Sequence, residues 1–202
     1  MGLIDEAVAA IRAGLPVVIP TDTVYGLVSS PHEEEATRRI QRLKGRGEGQ
    51  PLALLAGSVE ALLACVPELD ERAVAIVRAL LPGGFTLVLP NPAQRFPWLN
   101  GATPGAIGVR VPLLPPAASA ILDRVGVVVS TSANLHGGPS PVALADVPEE
   151  ILEAAGAVVD GGALPGLPST VIDFSGPAPR VLREGAAPSA DAIARALAAV
   201  AG

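Results

Sequence analysis

Leu15-Pro16-Val17-Val18-Ile19-Pro20 runs without a break into Thr21-Asp22-Thr23 and then Val24-Tyr25-Gly26-Leu27-Val28-Ser29. Two short apolar runs rich in valine and isoleucine flank three small polar residues, which reads as strand, turn and strand. Upstream, Leu3 to Ala13 has apolar residues at helical spacing and stops at Gly14, a C-cap signal. Downstream, His32 to Lys44 reads as an amphipathic helix with Glu33, Glu34 and Glu35 in its first turn and cations in its last. That charge order complements the helix dipole. Further strands are expected at Leu52–Ala56, Phe85–Leu89, Ile107–Val111, Val125–Ser130, Ala157–Val159, Thr170–Phe174 and Val181–Leu182. Helices are expected near Ser58–Cys65, Asp70–Leu80, Pro115–Arg124, Pro148–Ala155 and Ser189–Val200. This alternation defines an α/β fold around a largely buried sheet. Residues 1–202 read as a single domain, with no internal repeat and no dividing linker. The stretch Gly161-Gly162-Ala163-Leu164-Pro165-Gly166 reads as a mobile loop within it.

Composition narrows the function. Half of the residues are hydrophobic and 17% are charged, which excludes a disordered chain. Mean hydropathy is +0.47, yet the longest uncharged stretch, Val125 to Ala145, is broken by Ser130, Thr131, Ser132, Asn134, Gly137, Gly138 and Pro139. No spanning helix is expected there. Asp5, Glu6 and Arg12 on the first helical pattern are unlike a signal peptide. The single cysteine, Cys65, leaves no internal disulfide framework and fits a reducing, cytoplasmic setting. A net charge of −6 disfavours a dedicated nucleic-acid binder. Even so, Arg38, Arg39, Arg42, Lys44 and Arg46 fall within nine residues, a patch suited to a small anionic ligand.

Four segments put polar or charged groups at the ends of apolar runs, where ligands meet open α/β sheets. The first is Thr21-Asp22-Thr23, which can bind a polar ligand or simply close a turn through its hydroxyls. The second is Lys44-Gly45-Arg46, where two cations flank a glycine. Lys44 is the chain's one lysine, against thirteen arginines. Such a lone lysine is either chance or a compact ammonium kept where a planar fork will not serve. Ser130-Thr131-Ser132-Ala133-Asn134, at a strand exit, can cradle an anion. The fourth joins Ser169-Thr170 to Arg183, with Arg110 on a separate strand between Val109 and Val111. An arginine in an apolar strand needs a carboxylate partner, from the protein or from a ligand.

Taken together these segments resemble the YrdC-like family of threonylcarbamoyl-adenylate synthases, over roughly Leu3 to Arg183. The motifs are Pro20-Thr21-Asp22-Thr23-Val24-Tyr25-Gly26-Leu27, Lys44-x-Arg46 seven residues before Pro51, and Pro82-Gly83-x-x-Thr86. Val109-Arg110-Val111-Pro112, Ser130-x-Ser132-Ala133-Asn134 and Ser169-Thr170-Val171-Ile172 before Leu182-Arg183 complete them. The resemblance implies a three-layer domain in which a twisted mixed β-sheet encloses a deep cavity. It implies a nucleotidyltransferase that joins L-threonine, bicarbonate (or CO₂) and ATP into threonylcarbamoyl-AMP and pyrophosphate. That product would feed threonylcarbamoyl modification of a tRNA adenosine, through a downstream transfer machinery. By match to the motifs, Lys44 and Arg46 would be catalytic and hold phosphates with Ser132, Asn134 and Arg183. Thr21, Arg110, Ser130 and Ser169 would bind threonine. Magnesium would arrive with ATP, no protein metal site being expected. The chain resembles the short form of the family, without a second C-terminal domain.

Two other readings stay open. One is a non-catalytic RNA-binding module using the same basic cavity, with weak RNA binding also compatible with the enzyme. The other is carbamoyl transfer from carbamoyl phosphate, although the zinc-binding cysteine clusters of such chains are missing here. Two departures from the family pattern matter. Gly138 stands where the family often has a phosphate-binding arginine, and Gly47 replaces a proline after Lys44-x-Arg46. His136, in the same run, is expected in solvent. Gly138→Arg should therefore tighten nucleotide binding, and a titration that found affinity unchanged would refute the expectation.

Overall fold

Side chains alternate across a strand, so each strand gives one residue set to each face of its sheet. In this chain the two faces differ in character along their length. The computed structural model describes residues 2–45, 47 and 49–201. Helix α1 (Leu3–Arg12) ends as expected: Gly14 has φ 68° and donates to the Ile11 carbonyl, while Leu15 donates to that of Ala10. Strands β1 (Val17–Pro20) and β2 (Tyr25–Ser29) then pair antiparallel around the Thr21–Val24 turn. There follow α2 (Glu34–Leu43), β3 (Ala53–Ala56), α3 (Val59–Cys65), α4 (Glu71–Leu80), β4 (Phe85–Pro90) and β5 (Ala106–Arg110). Then come α5 (Pro116–Val125), β6 (Val127–Ser132), α6 (Glu149–Ala154), β7 (Ala157–Val158), β8 (Thr170–Asp173), β9 (Arg180–Arg183) and α7 (Ser189–Ala201). Ser58 and Asp70 cap α3 and α4 by accepting from the Ala61 and Ala73 amides.

The strands form one mixed sheet in the order β7-β1-β2-β6-β3-β5-β4-β8-β9, with β1/β7, β3/β5 and β4/β8 parallel. One face is apolar over most of its length. Val18, Leu27, Leu54, Leu87, Val109, Val129 and Ile172 pack there against Ile40 of α2, Leu62 of α3, Ile76 of α4, Ile151 of α6 and Ala192 of α7. On the other face Val17, Val28, Leu55 and Val128 pack beneath α1 and α5, through Val8, Ile11, Ile121 and Leu122. Each such side chain contributes roughly 1.5–3 kcal/mol on burial. The helices on either side make three layers.

The alternation then changes character on the α1/α5 side. The residues two positions from Val28, Leu55 and Val128 are Gly26, Ala53 and Ser130, and they line a cavity instead of a core. β6 also runs two residues past its expected end. Gly126, at φ 78°, closes α5, and Thr131 and Ser132 still pair with Leu27 and Gly26. Thr131 and Ser132, expected beyond the strand end, are therefore held by the ladder.

The glycine-rich stretch after β7 is not the loose loop that composition implied. The Gly161 amide donates to the Tyr25 hydroxyl at 3.0 Å, and that hydroxyl lies 2.8 Å from the Gly162 carbonyl and 2.9 Å from Asp160 Oδ1. Leu164 donates to the Val142 carbonyl and Gly166 to that of Thr23. The chain's only tyrosine, wholly buried, is thus a pin for this segment. Burial pushes its phenol pKa up, and the hydrogen bond to the Asp160 carboxylate and that group's charge add to this, against the opposing hydrogen bond from the Gly161 amide. Tyr25→Phe should cost roughly 1–3 kcal/mol in denaturant unfolding, because it strands buried partners. It should also speed amide exchange at Gly161 and Gly162.

Candidate functional site

The cavity occupies about 390 Å³ over the small-residue half of the sheet. Its floor comes from Gly26, Ala53, Gly108 and Ser130 on four neighbouring strands. A Cβ added at Gly108 would meet only ordinary van der Waals neighbours. The glycine therefore adds volume to the cavity and is not demanded by the backbone.

Arg110 ends β5 at one wall and is 9% exposed. Its Nη2 donates to Asp22 Oδ1 and to Thr23 Oγ1, the latter at 2.8 Å. The other Asp22 oxygen accepts from the Leu113 amide at 3.4 Å. So the strand arginine does find a protein carboxylate, while its buried Nε has no partner among the described residues. Burial draws the Arg110 pKa down, Asp22 opposes this, and the positive charge of Arg183 adds to the lowering.

Hydroxyl polarity around the turn follows from what Arg110 and the backbone can do. A guanidinium only donates and a carbonyl only accepts. Arg110 donates to Thr23 Oγ1, which lies 3.0 Å from Thr21 Oγ1, which in turn donates to the Val24 carbonyl at 2.7 Å. The Thr23 hydroxyl must therefore donate to Thr21. Thr21 Oγ1 also accepts from the Thr23 and Val24 amides. The turn reading of this segment holds for Thr21, although the residue still walls the cavity.

Across the cavity, Ser169 is 3% exposed and its Oγ lies 2.8 Å from Thr86 Oγ1. Arg183 reaches back from β9, donating to the Ser169 carbonyl through Nη2 at 2.8 Å and Nε at 3.0 Å. At the end of β6, Ser132 Oγ donates to Asn134 Oδ1, and Asn134 Nδ2 donates to the Gly138 carbonyl at 2.6 Å. Lys44 Nζ donates to the Ser132 carbonyl, to the Asn134 carbonyl at 2.5 Å and to Asn134 Oδ1 at 3.0 Å.

Of the residues singled out from sequence, Thr21, Arg110, Ser130, Ser132, Ser169 and Arg183 wall one cavity. Lys44 and Asn134 join it through Ser132 and are not walls themselves. Arg46 lies outside the described residues. Within the basic patch, Arg38 pairs with Glu34, Arg42 with Glu35, and Arg39 donates to the Gly14 carbonyl. The carboxylates at the start of α2 face the same way as the arginines near its end, so they neutralise one another on the helix surface. His136 is exposed, as expected. Asp22, Thr23 and Thr86 lie in segments that the sequence singles out but are assigned no role there; Thr23 and Thr86 wall the cavity and Asp22 holds Arg110. The need of Arg110 for a carboxylate was the available signal for Asp22. Among the described residues no group of three or more His, Cys, Asp or Glu side chains could hold a metal ion. No helix there is long and apolar enough to cross a membrane.

Comparison with known proteins identifies the class. The Sua5–YciO–YrdC family, described as telomere recombination, matches residues 9–185. The chain belongs to this family. A Mycobacterium tuberculosis relative with the provisional name threonylcarbamoyl-AMP synthase is 35% identical over 183 residues, covering 90% of this chain and 83% of the relative. The solved Pyrococcus abyssi Sua5 complexed with L-threonine superposes with a TM-score of 0.83 at 34% identity, over 93% of this chain and 55% of that one. This chain thus spans about half of the archaeal protein. Escherichia coli YciO superposes with a TM-score of 0.78 at 30% identity, over 92% of this chain and 90% of that one.

Asp22→Ala would leave the Arg110 guanidinium buried beside two threonines and no carboxylate. It should lower the unfolding free energy by about 3 kcal/mol, the usual cost of breaking a buried pair from one side. Asp22→Ala combined with Arg110→Met should recover much of that loss in the same urea titration.

Proposed function

We propose that this protein is an L-threonylcarbamoyladenylate synthase, condensing L-threonine, bicarbonate (or CO₂) and ATP into threonylcarbamoyl-AMP and pyrophosphate. The observation that carries the reading is the convergence of Arg110, Arg183 and the hydroxyls of Ser130, Ser132 and Ser169 on one cavity. It is supported by the family's synthases and by a relative whose structure holds L-threonine.

The reaction fits a cavity of this kind. Carboxylation of the threonine amine by bicarbonate releases water and leaves a carbamate. A carbamate oxygen then attacks the α-phosphorus, and the bond to the bridging oxygen breaks as pyrophosphate leaves with the electron pair. Negative charge grows on phosphoryl oxygens, so positioning and preorganised donors matter more than a protein nucleophile. Arg110, with a buried Nε to offer, is assigned to the threonine carboxylate. Thr21, Ser130 and Ser169 are assigned to the rest of the amino acid, Thr21 chiefly by shaping the turn. Ser132, Asn134 and Arg183 are assigned to the phosphates, with Lys44 and Arg46 supplying positive charge on that side. Magnesium enters with the nucleotide substrate. The labile product passes to a tRNA-modifying transferase.

The test is pyrophosphate release from ATP with bicarbonate present, with and without L-threonine. Release should require threonine and should fall by at least about a hundredfold in Lys44→Ala, a loss of some 2.7 kcal/mol of transition-state stabilisation. No release under any condition, together with RNA affinity that falls steeply with salt, would replace the enzyme by an RNA-binding module.

A further inference from the structure

In the segment that joins α2 to β3, Gly45, Gly47 and Gly49 alternate with charged residues. A Cβ added at any of these three glycines would meet nothing within 4 Å among the described residues. They are not there for close packing, and a stretch so rich in glycine has much backbone freedom to lose. What holds its far end is backbone alone. The Leu52 amide donates to the Leu99 carbonyl at 2.8 Å, and the Ala102 amide donates to the Gly49 carbonyl at 3.3 Å. Both bonds go to one turn, 99–103, in which the Thr103 amide and hydroxyl donate to the Asn100 carbonyl. Asn100 and Thr103 wall the cavity, as do Pro51 and Leu52. Between the two bonds stands Gly101, at φ 56°. A Cβ there would lie 2.4 Å from the Gly49 carbonyl oxygen, 2.9 Å from its carbon and 3.0 Å from the Pro51 nitrogen. All three are backbone atoms, which cannot swing aside as the end of a side chain can. Gly101 is itself no wall of the cavity.

We propose that Gly101 is a positioning residue for the phosphate side of the site. By letting two backbones meet with no side chain between them, it docks the end of the Lys44–Pro51 segment on the cavity wall. The inference rests on the synthase reading, which assigns Lys44 and Arg46 to the phosphates, and deepens it. A methyl group at position 101 pushes the Gly49 carbonyl away, so both docking bonds lengthen. The segment then gains the freedom that its glycines permit, and ordering it again on nucleotide binding costs affinity. The groups assigned to threonine are placed differently: Arg110 lies on β5, Ser130 on β6, and Ser169 directly before β8. They do not depend on the dock.

Amide exchange in the nucleotide-free protein reads the dock whether or not the protein is active. In wild type the Leu52 and Ala102 amides should exchange at least about tenfold more slowly than in the urea-unfolded chain. Exchange of either at the unfolded rate would overturn the proposal without recourse to any variant. In Gly101→Ala both amides should exchange about tenfold faster than in wild type, and unchanged rates would overturn it as well. In turnover Gly101→Ala should raise the KM for ATP about tenfold while the KM for L-threonine stays within about twofold. An equal rise for both substrates would contradict the proposal, because it would show a general loosening of the cavity. Asparagine accepts the left-handed conformation more readily than alanine, yet it carries the same Cβ. Gly101→Asn should therefore keep the raised KM for ATP, and recovery of the wild-type value would assign the glycine to its φ alone. Gly105→Ala, in the same connection but with open space around the new Cβ, should leave both KM values unchanged. A raised KM for ATP there would count against a specific contact at Gly101. Failure of the synthase reading would instead appear as absent pyrophosphate release from wild type with both amides still protected.

Discussion

The two-residue period of the strands is the constraint on which this structure depends. A residue that faces one layer is followed by a residue that faces the other, with no freedom in between. On the α1/α5 side the same set of positions runs from Val28, Leu55 and Val128 to Gly26, Ala53 and Ser130 within a single strand length. The large side chains hold the helices, and the small ones leave the cavity. Core and cavity are thus two ends of one face, and a register slip of one residue would destroy both at once.

Charge is placed by the same economy. Arg110 lies at the end of β5, where the apolar set gives way, and its guanidinium is held by Asp22 and Thr23 from the β1–β2 turn. This turn also sends the Thr23 carbonyl to Gly166 and leads into Tyr25, the pin of the segment after β7. A four-residue connection therefore fixes an arginine, orders a relay of hydroxyls and anchors a loop. On the other side of β6, a lysine from the opposite layer holds the turn that ends the strand. The sheet is covered on one side by helices that stabilise it and, in the case of α2, also shape the site through it.

Membership of the Sua5–YciO–YrdC family sets this geometry in context. The structural likeness to YciO extends over nearly the whole of both chains, and the likeness to the threonine-bound Sua5 over about half of that longer protein. What these relatives share with this chain is the fold. Differences in chemistry within such a fold must arise from particular side chains on the cavity side.

The sequence by itself determined the order of strands and helices, the Gly14 cap, the small-polar exit of β6 and the need of Arg110 for a carboxylate. These are local properties: period, capping and the cost of burying a charge act over a few residues. Of the residues that the family motifs pointed to, Thr21, Arg110, Ser130, Ser132, Ser169 and Arg183 line the cavity. Only the tertiary structure decided which carboxylate serves Arg110, because Asp22 and Arg110 are 88 positions apart and meet across four strands. It likewise decided that Arg38 and Arg42 pair with carboxylates of their own helix, and that the glycine-rich segment is tied down by Tyr25. Lys44 shows the division most clearly. Its rarity among arginines was visible in the chain, but the Ser132 and Asn134 oxygens that its ammonium meets come from residues 88 and 90 positions away, at the end of a strand that pairs with β2.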